Sequence, residues 1–362
     1  MAATHSSRPP GANPYGAIDS ASWQLMGAAA LAIRLVIGWV YWGGASRRFI
    51  YSIKKIDPGS PGYLANKLVH AAPGSPFGLD HVLHWLLGMP LLLQAAVIGF
   101  SLVELVVGVG LIIGFATRLL SLVGLGLALF LMLIFGWMGT TCLDEWTMAA
   151  CGFAMVTVTL VTGSGPYSVD NWLVKSGRTA NSNWLAWITS GPLPISQGRF
   201  ITITTLLGVI AFVFTVFFYG FYFDAIYSPL GKRTDNLHPR VTMSDAVLFD
   251  DRLTVGTYMD RGPDTQGLYI VKATLASKGG TASPLFDYDA AMLKQADTVK
   301  ITNRFAPWST CKQIAYGIRC QLGSQSTFSF AVPAAATGMS QDLVLTLTDV
   351  EGNTFSAPVS AR

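Results

Sequence analysis

Residues 91–113 read LLLQAAVIGFSLVELVVGVGLII, a run whose single charge is Glu104. As a helix this run rises about 34 Å, enough to cross the hydrocarbon core of a bilayer. Segments 22–45, 117–138, about 145–163 and 200–223 have the same character on either side of it. The sequence therefore predicts an α-helical membrane bundle of about five transmembrane helices. Composition agrees, since the 362 residues are 51% hydrophobic and only 12% charged. Soluble proteins carry about 25% charged residues, and the number here is too small to coat a globule of this size.

The apolar runs end near position 225. Beyond Tyr227 short alternating stretches follow: Arg240–Leu248, Leu253–Tyr258, Leu268–Leu275, Thr298–Asn303, Thr327–Val332 and Leu343–Thr348. Turn residues such as Arg261-Gly-Pro-Asp264 and Glu351-Gly-Asn353 separate them, which predicts a C-terminal all-β, sandwich-like soluble domain. The expected division is a polar tail 1–21, a four-helix membrane domain 22–175 with an insertion 46–90, a connection 176–199, a fifth span 200–223 and a β-rich domain 235–362. The apolar run after the tail is too long for a signal-peptide core, so it reads as a retained first helix.

Four cysteines occur, Cys142, Cys151, Cys311 and Cys320. The nine-residue separation of Cys311 and Cys320 around a turn suits a hairpin disulfide, and a bonded pair would make that domain extracytoplasmic. No CxxCH haem site, CxxC pair, ferredoxin spacing, flavin fingerprint or nicotinamide fingerprint is present, and no metal site is expected. The net charge of +4 is modest and no basic stripe interleaved with aromatics appears, so nucleic acid is not an expected partner.

Five spans with the C-terminus outside put the N-terminus and the 164–199 connection inside, and 46–90 and 139–144 outside. Lys175, Arg178 and Arg199 then obey the positive-inside rule, whereas Arg47, Arg48, Lys54, Lys55 and Lys67 break it. Either the orientation is inverted or the outer cations gather an anion.

Charges inside membrane helices are costly unless paired or hydrated. Arg34, Glu104 and Arg118 are therefore singled out: Arg34 with Glu104 as a structural ion pair, or the arginines as an anion site. The stretch Gly139-Thr-Thr-Cys142-Leu-Asp144-Glu145-Trp146 gathers a thiol, two carboxylates and an indole at a helix start. Asp144 and Glu145 could simply cap that helix, but capping needs no thiol, which makes Cys142 a candidate redox centre or nucleophile. Cys151, mid-helix in apolar surroundings, reads as packing. His81 and His84, three apart, could bond a quinone carbonyl or a metal, or be an ordinary surface pair.

The pattern Arg34-xxx-Gly38, Glu104-xxx-Gly108 and Gly114-Phe-Ala-Thr-Arg118 resembles the DoxX/DoxD membrane family, and Thr140-Thr-Cys-Leu-Asp-Glu-Trp146 looks like the DoxD subunit of thiosulfate:quinone oxidoreductase. Val241-Thr-Met-Ser-Asp-Ala-Val247 and Arg261-Gly-Pro-Asp-Thr-Gln-Gly267 are similar to the DoxA subunit, so the chain resembles a DoxD–DoxA fusion. The resemblance implies an inner-membrane enzyme with a periplasmic β domain. Such an enzyme oxidises thiosulfate to tetrathionate and passes electrons to a membrane quinone, ubiquinone or similar. On that footing Cys142, Asp144 and Glu145 are the expected catalytic residues, and Arg34, Arg47, Arg48 and Arg118 the thiosulfate-binding ones. Trp146, His81 and His84 are the expected quinone contacts. Thiosulfate, quinone and the lipid bilayer are the expected partners, with homo-oligomerisation left open. The competing reading is a DoxX-like membrane scaffold or anion transporter whose β domain binds a partner.

Overall fold

The helical half is punctuated by proline and glycine. In the computed structural model, which describes residues 18–138, 143–177, 183–193, 195–223, 235, 237–278, 283–305, 307–333 and 342–361, these residues mark the ends of the longest helices. Helix α1 (Ser20–Ala29) is N-capped by Asp19, whose Oδ1 accepts the Ser22 N–H at 2.6 Å. It bends by 55° at Ala30 into α2 (Leu31–Ser46), which runs on as a π-helical turn, Arg47–Tyr51. Two short helices follow, α3 (Ala65–Ala71) and α4 (Leu79–Leu87). Pro90 opens α5 (Pro90–Ile113) at a position where the missing N–H does no harm. Gly114, at φ +69°, ends it and lets the chain turn into α6 (Thr117–Phe135). Then come α7 (Leu143–Thr162), α8 (Val169–Lys175), α9 (Asn183–Ile188) and the long α10 (Gln197–Phe223).

Among the described residues, α5, α6 and α10 are each long and apolar enough to cross a membrane, and the bent α1–α2 pair makes a fourth candidate. Helix α7 supplies a shorter apolar stretch, Thr147–Thr162. These elements fall where the five hydrophobic segments were expected.

The chain forms two compact units. The first comprises residues 1–46, 102–129 and 149–216, the second 47–101, 130–148 and 217–362. The first is cored by Ile37, Tyr41, Val107, Leu111, Leu120 and Val156. Glycines let its backbones touch: a methyl on Gly108 would collide with the Trp42 backbone, and one on Gly38 would press on Ile112. Such close approach stands in for a hydrophobic driving force between helices in lipid. Tyr41 donates its hydroxyl to the Gly124 carbonyl at 2.7 Å, and Ser121 and Thr159 share a hydrogen bond of 2.7 Å.

In the second unit the strands are β1 (Arg240–Phe249), β2 (Arg252–Arg261), β3 (Leu268–Ser277), β4 (Phe286–Tyr288), β5 (Val299–Asn303), β6 (Cys311–Ile314), β7 (Gly317–Cys320), β8 (Gln325–Ala331), β9 (Leu343–Asp349) and β10 (Thr354–Ala361), with a single helical turn, α11 (Ala290–Leu293), after β4. The all-β domain expected from the sequence is present, and its strands belong to one sheet of order β5-β8-β2-β1-β10-β9-β3-β7-β6, with β4 on β3. The sheet curls until its end strands meet. Asn303 on β5 donates Nδ2–H to the Cys311 carbonyl at 3.1 Å and accepts the Cys311 N–H at 2.8 Å on β6. This nearly closed barrel removes most of the unpaired edge that an open sheet would expose. Its interior holds Leu253, Val255, Ile270, Phe328, Phe330 and Leu345, from the alternate positions that the two-residue strand period turns inward. Cys311 and Cys320 face each other on β6 and β7 and are disulfide-bonded, as expected.

Candidate functional site

Three charged side chains are buried together in the first unit, and each answers the end of a helix. Arg34 is 1% exposed. It donates Nη1–H to the Leu111 carbonyl at 3.1 Å, in the last turn of α5, and Nη2–H to the Tyr167 carbonyl at 2.9 Å. Last-turn carbonyls have no intrahelical donor and lie at the negative end of the helix dipole, which suits a guanidinium. Arg118, fully buried, does the same for α9 and the turn after it, donating Nη1–H to Trp187 at 3.3 Å and Gly191 at 2.9 Å. Its guanidinium also lies 5.1 Å from the ring of Trp23.

Asp170 takes the opposite role. Its carboxylate accepts the N–H groups of Ala116 at 2.7 Å and Thr117 at 2.9 Å, the first donors of α6, and the Ser190 hydroxyl at 2.9 Å. A carboxylate at a helix N-terminus satisfies donors that nothing else can reach and sits at the positive end of the dipole. Burial pushes this carboxyl above the usual carboxylate range, against the opposing pull of those hydrogen bonds. Asp170 is also the acidic neighbour acting on both arginines.

The predicted ion pair is thereby corrected. Both hydrogen bonds of Arg34 go to carbonyls and its acidic neighbour is Asp170, not Glu104, which is buried against Gly44 of α2. The cost of leaving a charge unpaired in a membrane helix suggested Glu104, but the free carbonyls at the end of α5 are the stronger claim on a fork of donors. In the same way Arg34 Nη1 and Nη2 and Arg118 Nη1 hold carbonyls at or near helix ends.

The backbone around this node is unusual. Ala116 and Ser190 hold positive φ, +46° and +57°, as do Gly114, Gly163 and Gly165. Non-glycine residues in this region carry strain of order 1–3 kcal/mol and need a reason to stay there. For Ser190 the reason on view is its hydrogen bond to Asp170. Beside it lies a cavity of about 60 Å³ whose lining includes Trp23, Gln24, Gly165, Asn171, Ser190 and Gly191. Trp23 is 3% exposed, yet its indole N–H has no hydrogen-bond partner among the described residues.

A second polar region lies in the second unit. A cleft of about 420 Å³ on the barrel is lined by Tyr258, Asn303, Arg304, Gln325, Ser326 and neighbouring hydroxyls. His84 of α4 meets its rim: its ring stacks on Phe305 at 5.9 Å and 8°, and its Nε2 lies 3.3 Å from Gln325 Nε2 and 3.5 Å from the Tyr258 hydroxyl. The Gln325 amide is a donor at this atom, which suits a neutral ring with Nε2 accepting. Burial accordingly pushes its pKa below the ordinary histidine value. His81 faces solvent with its side chain 87% exposed and Asp80 3.9 Å away. The two histidines therefore diverge and cannot jointly hold one ligand. One turn of helix sets them three residues apart, but α4 packs only the His84 side on the barrel.

The basic cluster is divided as well. Arg48 packs over Phe100 and reaches Ser101 at 3.4 Å, and Lys67 pairs with Asp264 at 3.4 Å, while Arg47 and Lys54 are exposed. Cys142 lies outside the described residues. Asp144, Glu145 and Trp146 are in the first turn of α7, with side chains outside those described. Cys151 is an exposed free thiol on α7. Among the described residues no group of three or more His, Cys, Asp or Glu side chains is placed to hold a metal. Asp170, Ser190 and Trp23 were missed by the sequence reading; the only local signal was the glycine-marked turn at 114, which announces exposed helix-end groups.

Fold and site together define a membrane protein with several apolar helices, a buried charge node at their ends and a disulfide-bonded β domain. Residues 30–196 match the family described as TQO small subunit DoxD, and residues 224–357 match the family described as TQO small subunit DoxA. The chain belongs to these oxidoreductase families as a DoxD–DoxA fusion. No solved structure matches it.

Proposed function

We propose that this protein oxidises two thiosulfates to tetrathionate and delivers two electrons and two protons to a membrane quinone. The observation that carries this reading is the presence of both family matches, DoxD and DoxA, on one chain. The reaction balances as two thiosulfate dianions, one quinone and two protons giving one tetrathionate dianion and one quinol. The exposed cations Arg47 and Lys54, with Arg48 behind them, gather the dianion. Cys142 divides the coupling into two steps. Its thiolate and one thiosulfate lose two electrons to form a Cys–S–S–SO₃⁻ adduct. A second thiosulfate then attacks the sulfane sulfur, forming tetrathionate and freeing the thiolate. Asp144 and Glu145 handle protons beside it, and Trp146 lies against the acceptor. The protein resides in the inner membrane with the barrel on the periplasmic side, consistent with the disulfide Cys311–Cys320.

The test is purified full-length protein in nanodiscs with thiosulfate and a short-chain ubiquinone analogue. Quinol and tetrathionate should appear in equal amounts, with neither formed when thiosulfate is omitted. Absence of thiosulfate-dependent quinone reduction overturns the assignment. Protease added to intact spheroplasts should remove the barrel; full protection overturns its placement.

A further inference from the structure

Four neighbouring strands of the barrel turn small polar residues outward in one transverse row. Thr302 of β5, Thr327 of β8, Gly256 of β2 and Ser244 of β1 stand opposite one another in register. Gly256 leaves the backbone bare in the middle of the row, and a methyl there would stand 2.9 Å from Ser244 Oγ. This row is the floor of the 420 Å³ cleft, with exposed hydroxyls on both sides of the bare strand.

The next row supplies the wall, and its arginine is held in place rather than loose. Arg304 donates Nη1–H to Gln325 Oε1 at 2.7 Å, and its guanidinium lies 5.2 Å from the ring of Phe305. Gln325 turns its amide nitrogen to His84 Nε2 at 3.3 Å, and the His84 ring stacks on the same Phe305. A residue of α4 thus orients the amide and the amide orients the guanidinium, which keeps Nε and Nη2 for a ligand. Lys300 is exposed on the same face of β5, two residues before Thr302. Two carboxylates stand near this face: Asp260 is bonded to Arg240 and Thr242, and Asp80 acts on His84 and Tyr258. The β5 side of the cleft, with Lys300 and Arg304, is therefore its positive side.

We propose that this side of the cleft binds thiosulfate, whose sulfonate oxygens accept from Arg304 and from the hydroxyls of Thr302 and Thr327, with His84 as a positioning residue for Arg304. The inference rests on the reading of thiosulfate as substrate. A guanidinium fork with flanking hydroxyls suits a sulfonate, because its bonds to the oxyanion are charge-assisted and their direction is fixed. Thiosulfate is small beside a space of about 420 Å³, so it enters with much of its water shell. Such a site captures and releases: the dianion passes on to the reacting thiol by diffusion through water, and no bond is made and no electron leaves it in the cleft.

The experiment has two arms on the full-length protein in nanodiscs. In the first, phenylglyoxal modifies arginines of wild type without quinone, and the rate at each arginine is read by peptide mapping. Saturating thiosulfate should slow modification of Arg304 at least about fivefold against chloride of equal ionic strength, with Arg319 unaffected. Arg304 modified at the same rate in both salts overturns the proposal, whether or not thiosulfate is oxidised. In the second, Arg304→Gln should raise the KM for thiosulfate about tenfold or more, with kcat and the KM for quinone unchanged. His84→Leu keeps an apolar contact with Phe305 but removes the acceptor for Gln325, and should raise the same KM about threefold. His84→Gln, which restores an acceptor, should recover the wild-type value. A wild-type KM in Arg304→Gln overturns the site, and equal KM values in the two His84 variants overturn the positioning role. A wild-type protein that reduces no quinone with thiosulfate overturns the proposed reaction instead, and the protection arm still decides the cleft.

Discussion

Replacing Asp170 by asparagine tests the charge node directly, because the change is nearly isosteric while it removes the negative charge and one acceptor oxygen. The carboxylate accepts three hydrogen bonds, from Ala116 N, Thr117 N and Ser190 Oγ. An amide offers one oxygen, and its NH₂ must face a donor, so at least one buried N–H at the start of α6 is orphaned at about 1–3 kcal/mol. The substitution also takes a negative charge that acts on both Arg34 and Arg118 out of a buried site. Breaking a buried pair by removing one partner costs about 3–5 kcal/mol. The two terms overlap, since both arginines keep their carbonyl partners, so the expected destabilisation is about 3–5 kcal/mol in all. This should appear as a fall of roughly 10 °C in the temperature at which the detergent-solubilised protein leaves its monodisperse elution peak. An Asp170→Asn variant that elutes and melts within a degree or two of wild type would refute the idea that one carboxylate balances two arginines and caps α6.

Gly114→Ala should weaken the same node from the other side, since a methyl there would collide with the Arg34 guanidinium and sit on a backbone at φ +69°; a loss of more than about 1 kcal/mol is expected in the same melting assay. His70 of α3 predicts a pH dependence: among the described residues both ring nitrogens lack hydrogen-bond partners, and burial, with Asp264 and Lys67 pulling in opposite senses, lowers its pKa from 6.5 to about 4. The fold holds the neutral form, so this contribution is complete above pH 6.5 and is lost as the pH falls toward 4, by roughly 3 kcal/mol in full. Hydrogen exchange of residues 65–71 should accelerate over that window in wild type and much less in His70→Gln. Cys142→Ser should fold and lose thiosulfate oxidation while Cys151→Ser, on an exposed helix face, stays active. Full turnover in the Cys142 variant would exclude a covalent sulfur adduct there.

The spans were legible because twenty apolar residues admit few other fates, and most strands because Val, Leu and Phe alternate with polar residues along them. Strand β10 was not, since Thr354-Phe-Ser-Ala-Pro-Val-Ser-Ala carries a proline and small residues where a strand is expected to show branched ones. It is held instead by its neighbours, β1 in parallel and β9 antiparallel. The cystine pair was legible because a hairpin of that length brings the two residues opposite each other. Asp170 was not, since Ser-Val-Asp-Asn-Trp reads as the start of an exposed helix, and Ser168 does cap that helix. What buries Asp170 is the N-terminus of α6, some fifty residues earlier in the chain. Arg34 shows the same limit: a charge in a membrane helix announces that it has a partner, but backbone carbonyls at a helix end leave no residue type to search for.

The packing of the second unit bears on why the two family segments occur as one chain. Residues 47–101 fall within the DoxD match, yet they share a hydrophobic core with the DoxA-type barrel: Tyr63, Val69, Leu87 and Leu93 pack with Phe305 and Trp308. Trp308 lies 5.5 Å from the Tyr63 ring and donates its indole N–H to the Pro58 carbonyl at 3.2 Å, while Lys67 pairs with Asp264. Gly323 meets the Val69 backbone so closely that a methyl would collide with it. A buried aromatic anchor, an apolar centre and an ionic rim are what a permanent interface between separate subunits requires. A tether alone would raise only the local concentration of the barrel and would leave these faces free to be polar. The insertion is thus the part of the DoxD segment shaped to receive the barrel. Its exposed cations Arg47 and Lys54, which on the proposed orientation break the positive-inside rule, belong to the same unit as the barrel cleft. On the proposed function, capture of the dianion belongs to this unit, while Arg34 and Arg118 donate to carbonyls at or near helix ends in the other.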